Sequence, residues 1–92
     1  MKFERLAVPA GTRFLKSGRV TLFPGESVGE HNTGGNEEII IVLKGKATVR
    51  ANGSMKEIKP HDFCFIGRDT FHDVKNNSEK SLEYTYVVGK FS

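Results

Sequence analysis

With 92 residues, the chain is long enough for one small domain spanning 1–92 and leaves no room for a second. A lone cysteine, Cys64, excludes an intrachain disulfide, the opening MKFERLAVPAG lacks the apolar run of a secretory leader, and no stretch is long and apolar enough for a bilayer. A cytoplasmic protein with no membrane partner is therefore expected. The net charge of +3 also brings no nucleic-acid partner, because its basic residues (Lys16, Arg19, Lys44, Lys46, Arg50, Lys56, Lys59, Lys75) are scattered among acids rather than drawn into a stripe with interleaved aromatics.

Along the chain the pattern is strand, turn, strand, with no helical periodicity. Residues 19–23 (RVTLF) alternate and stop at Pro24-Gly25, a strong turn signal. Residues 27–31 read as a short strand, closed by a loop over 32–36. Residues 37–44 (EEIIIVLK) form an apolar run of strand length rich in β-branched side chains, broken at Gly45. A strand over 46–51 meets Asn52-Gly53, the pair favoured in two-residue hairpins whose central positions both need positive φ, and 54–58 returns from it. Pro60-His61-Asp62 turns the chain into a strand over 63–66, a loop follows over 67–70, and further strands cover 72–75 and 81–88 around the turn Asn76-Asn77-Ser78. Many short strands at regular spacing predict an all-β fold, an antiparallel sandwich or barrel.

Strand parity carries a second message. If Glu38 faces the interior, Ile40 and Val42 face it too, and Ile39, Ile41 and Leu43 point outward. An exposed apolar row of that kind needs a cover, supplied by the N-terminal segment, by a second sheet or by a second copy of the chain. A homodimer is the expectation, given how little core a short chain builds alone.

The residues that suggest chemistry are His31, Glu38 and His72, in a chain with three histidines in all. Two imidazoles and a carboxylate meeting in a barrel hold a divalent metal on one side and leave other positions open, an arrangement suited to hydrolytic, isomerase or non-haem iron chemistry. Glu37 and Glu30 have the opposite parity to their neighbours Glu38 and His31, and His61 lies in a turn, so all three read as surface residues. Phe71, Tyr84 and Tyr86 are candidates for either core or pocket wall. No phosphate loop, nucleophile elbow or Cys-x-x-Cys pair is present.

These residues fall in a recognisable frame. Gly25, five residues, His31, one residue, Thr33, four residues, Glu38, six residues and Gly45 resemble the first motif of the cupin superfamily, with threonine where its second histidine stands. Residues 61–76 resemble the second motif: His72 and Asn76 match, whereas its proline and two glycines are replaced, His61 and Asp69 standing at the glycines. The resemblance implies a small jelly-roll β-barrel with one divalent metal ion (Fe, Mn, Ni or Zn) held by His31, Glu38 and His72. It also implies that Cys64 faces the barrel interior, as a small core residue, a substrate or water contact, or a soft extra ligand to the metal, while Thr33 orients a bound water or substrate. The implied function is a metal-binding cupin that acts on or binds a small organic molecule. The alternative is a non-catalytic ligand-binding or sensing barrel without a tightly bound metal. Fold alone does not choose a reaction.

Overall fold

The computed structural model describes residues 1–90. Nine strands follow one another: β1 (Lys2–Arg5), β2 (Leu15–Leu22), β3 (His31–Asn32), β4 (Glu37–Lys44), β5 (Ala47–Ala51), β6 (Ser54–Ile58), β7 (Phe63–Ile66), β8 (Phe71–Lys75) and β9 (Leu82–Gly89). They form a five-stranded sheet in the order β1-β2-β9-β4-β7 and a four-stranded sheet in the order β3-β8-β5-β6, with every pairing antiparallel. No helix occurs among the described residues, so the all-β expectation is met, and none is available to cross a membrane.

The alternation of apolar residues sets the two faces of each sheet. On β4, Ile40 and Val42 are fully buried, while Ile39, Ile41 and Leu43 keep 36–42% of their surface exposed, as the parity of Glu38 requires. Inward side chains of both sheets merge into one core, with Val20, Leu22, Ile40, Val42, Leu82 and Tyr84 from one side and Ala47, Val49, Ile58 and Val74 from the other. Cys64 and Ile66 complete it from β7.

The registers order the inner face of the larger sheet into rows. Lys16 lies opposite Val88, and Val88 opposite Glu38, so these three share one row across β2, β9 and β4. One step deeper, Gly18, Tyr86, Ile40 and Cys64 form the next row. Val20, Tyr84 and Val42 make the third. Gly18 is what allows Tyr86 to lie across its own strand pair, because a Cβ there would stand 2.6 Å from the phenol oxygen.

Three local expectations need correction. The strand foreseen over 27–31 is not one element: Ser27 makes an isolated bridge to Lys75, and only His31–Asn32 is strand. Gly29 is the reason, since its φ of +105° turns the chain out of the extended path, and Asp73 accepts its N–H through a carboxylate oxygen at 2.9 Å instead. β2 begins four residues earlier than 19–23, at Leu15, which brings Lys16 and Gly18 into the sheet. β1 was not foreseen, and it adds an exposed edge along β2.

The turns follow their residues. Asn52 and Gly53 take φ of +50° and +80°, the left-handed pair of a type I′ hairpin. His61 and Asp69, at the two positions where the resemblance calls for glycine, sit at +74° and +49°, so the backbone demand of the motif persists although the residue has changed. Asn76 is fully buried at the entry to the β8–β9 turn. Its Nδ2 donates to the Leu22 and Lys80 carbonyls at 2.9 and 2.7 Å, and its Oδ1 accepts the Ser78 N–H at 3.0 Å.

Candidate metal centre

His31 and His72 are direct partners in the β3–β8 register, which sets their rings side by side across a strand pair, centroids 4.0 Å apart and planes inclined by 60°. Glu38 reaches them from the other sheet, at the start of β4, and places Oε1 3.4 Å from His72 Nε2. One ligand atom from each residue lies within 4.8 Å of the others. The three side chains that the sequence brings forward as metal ligands are thus assembled from three strands and both sheets.

Each imidazole is oriented by backbone. His31 Nδ1 stands 2.9 Å from the Gly29 carbonyl and His72 Nδ1 3.1 Å from the Thr70 carbonyl. A carbonyl only accepts, so both Nδ1 atoms carry the hydrogen, which leaves both Nε2 lone pairs free for a metal, the way backbone carbonyls fix histidine ligands. His72 Nε2 is buried without a hydrogen-bond partner, and the nearest atom of opposite charge is another acceptor, the Glu38 carboxylate. Two acceptors facing one another out of solvent require a cation between them, a proton or a metal.

That competition shows in the titration of His72. Burial pulls its imidazole down, but the Glu38 carboxylate, the Thr70 carbonyl and the charges of Glu38 and Asp73 outweigh it and leave the group above its ordinary 6.5. The donor set also fits an ion by size. Ligand atoms at about 2.0–2.2 Å from a zinc-type centre and grouped on one side of it lie about 3.0–3.5 Å apart. Glu38 Oε1 and His72 Nε2 already stand 3.4 Å apart, and bringing all three atoms in from within 4.8 Å takes side-chain movement of up to about 1.5 Å.

The centre opens on a cavity of about 260 Å³. Its walls are Val20, Val28, Val74, Tyr84, Tyr86 and Val88, with Phe3 at one edge and His31, Asn32, Thr33, Asn36, Glu38 and Lys16 supplying the polar groups. The apolar wall with a few convergent polar groups is the usual character of a small-molecule site. Tyr84 is buried there, and burial, with the charge of Glu38, pushes its phenol well above the ordinary range, so it stays protonated.

The two remaining residues singled out by sequence have different surroundings. Thr33 lines the cavity, but its hydroxyl donates to the Gly67 carbonyl at 2.6 Å and accepts the Thr70 N–H at 3.0 Å, tying the loop over 67–70 to the end of β3. Cys64 lies one row deeper than Glu38, opposite Ile40, and belongs to the core. Burial pushes its thiol up; nearby Lys56 opposes that shift and Glu38 adds to it. Phe71 points outward and is more than half exposed, unlike Tyr84 and Tyr86. Lys16 was visible in the sequence only as one scattered base; the period-two run Lys16, Gly18, Val20, Leu22 was the signal that places it inward.

Comparison with known proteins bears on the family and the fold. Residues 18–88 match the family model described as the cupin domain. The oxalate-binding protein of Thermotoga maritima is 36% identical over 70 residues, covering 76% of this chain and 58% of that protein. The tetracenomycin polyketide synthase protein TcmJ of Streptomyces glaucescens is 31% identical over 82 residues, covering 89% of this chain and 54% of that one. The chain therefore spans little more than half the length of these curated relatives. A crystal structure from Thermotoga maritima, of a predicted oxalate decarboxylase, superposes with a TM-score of 0.78 at 26% identity, covering 97% of this chain and 92% of the other.

Proposed function

The chain belongs to the cupin domain family, and from that premise we propose that it is a small metal-binding cupin in which His31, Glu38 and His72 hold one divalent ion, of Fe, Mn, Ni or Zn type. The observation that carries this reading is the buried, unpartnered Nε2 of His72 aimed at the Glu38 carboxylate. A divalent ion there supplies Lewis acidity and open positions for an oxygen donor. The protein's own part is to hold both imidazoles in the Nδ1–H form through the Gly29 and Thr70 carbonyls, to keep Thr33 locked in the wall, and to surround the ligand with Val20, Val28, Val74 and Val88. A small organic molecule fits the cavity volume, and the name of the oxalate-binding relative supports small-molecule binding.

A second reading is a ligand-binding barrel without tight metal. Thr33, at the position of the family's second histidine, favours it, since a hydroxyl already committed to two backbone groups is a poor ligand. In either case we place the protein in a reducing cytoplasm as one barrel over 1–92, and as a homodimer. The outer face of the larger sheet supports the dimer: Ile39 pairs with Phe65 and Ile41 with Phe63, and all four are exposed.

Metal analysis after loading with Fe(II), Mn, Ni or Zn decides between the two readings. About one ion per chain in the wild type, lost in His31→Ala/His72→Ala, is the expected result. Substoichiometric metal that survives the double substitution overturns the metal reading and leaves the ligand-binding barrel.

A further inference from the structure

We propose that Lys16 anchors the acid group of the ligand, so that the cavity takes a small organic carboxylate stretched between the Lys16 ammonium and the metal centre. The proposal rests on the metal site argued above. Lys16 has the inward parity of Gly18, Val20 and Leu22, and its side chain lines the same cavity as His31 and Glu38. It shares a row with Glu38, separated from it by Val88 alone. Two strand spacings set their backbones about 10 Å apart, which leaves room between the ammonium and the centre for an acid of a few carbons.

Charge makes the same point. Among the described residues Lys16 has no ion-pair or hydrogen-bond partner, as holds for most of the lysines, but it is the one lysine or arginine that lines the cavity. Glu38 is the one acid in the cavity wall, and it is turned to His72. Two neutral imidazoles and one carboxylate around a divalent ion leave a net positive centre, and Lys16 adds a second positive charge on the same face. An anion lying between them relieves the repulsion and is held at both ends. Val88, the register partner of Lys16, and Val20 line the same cavity and give a short carbon chain an apolar surface.

The test is calorimetric titration of the zinc-loaded protein with oxalate, malonate and succinate, beside oxamide, malonamide and succinamide and inorganic phosphate, with zinc content measured on the same samples. The comparison is between wild type, Lys16→Met and Lys16→Arg; Lys16 is exposed, so these variants keep the fold. The expected result is that wild type binds at least one acid about ten-fold or more tighter than its diamide and tighter than phosphate. Lys16→Met loses about ten-fold in acid affinity with zinc unchanged, and Lys16→Arg keeps most of it. Equal acid affinity in wild type and Lys16→Met, diamide or phosphate binding that matches the best acid, or no acid binding by zinc-loaded wild type overturns the assignment of Lys16 while leaving the metal site standing. Wild type that takes up no zinc overturns the metal reading itself, and the bridged arrangement with it.

Discussion

At the scale of single residues, the two histidines separate function from stability. His72 is buried between both sheets and His31 is exposed at the mouth. Both alanine substitutions should abolish metal uptake. In the metal-free protein, chemical denaturation should show His72→Ala destabilised by about 2–3 kcal/mol and His31→Ala by less than about 0.5 kcal/mol. Equal costs would contradict the assigned burial. The proton on His72 gives a pH dependence of definite sign. Its folded value is raised, so its pairing with Glu38 stabilises the metal-free protein below the ordinary imidazole value of 6.5 and is lost as pH rises through the higher folded value. Metal must displace that proton, so zinc affinity should climb from pH 6 to pH 8, and calorimetry in buffers of different ionisation enthalpy should detect its release. An affinity flat over that range would contradict the pairing. His61 makes the opposite kind of case, since its φ of +74° costs a non-glycine residue about 1 kcal/mol. His61→Gly should therefore leave thermal stability unchanged or raised, and a clear loss would show that the side chain has work of its own.

At the scale of elements, the turns are held by individual groups rather than by burial. Asn76 satisfies the carbonyls of Leu22 and Lys80 and the N–H of Ser78 from a fully buried position. Asn76→Ala strands those groups, and an unfolding midpoint lowered by the equivalent of about 2–4 kcal/mol is expected. Gly45 is equally constrained: at φ of +85°, an added Cβ runs into the Ser81 carbonyl and the Leu82 Cα, both backbone. Gly45→Ala should cost at least about 2 kcal/mol, measured the same way. Both positions were legible, because the glycine spacing and the asparagine after His72 are part of the motif pattern. The strand over 37–44 was legible too, and its parity followed once Glu38 was taken to face inward, although the continuous apolar run itself does not alternate. The segment 27–31 was not, because one left-handed glycine diverts a sequence that otherwise alternates. Nor was β1, whose four residues are all exposed and carry no buried face to produce a pattern.

At the scale of the molecule, one sheet does two things with its two faces. The inner rows descend from the polar row of Lys16 and Glu38 to a fully apolar base at Leu22 and Leu82, so the site sits at the open end of a packed core. The outer face carries Ile39, Ile41, Phe63 and Phe65, and the dimer proposed there should appear in sedimentation as a species of twice the chain mass. Replacing Ile41 and Phe63 by lysine should shift it to monomer, and a wild type that sediments as monomer at all concentrations would contradict it. The row arrangement itself could not be read from sequence, because which strand lies beside which depends on pairings between residues 24 to 72 positions apart, from Ile40 with Cys64 to Lys16 with Val88. The central claim is that one ion is held by two imidazoles and a carboxylate, and X-ray absorption at the zinc edge reads that directly. The prediction is a nitrogen and oxygen shell with the outer scattering of two imidazoles and no sulfur. A sulfur shell, which would make Cys64 a ligand, or a shell without imidazole would contradict it.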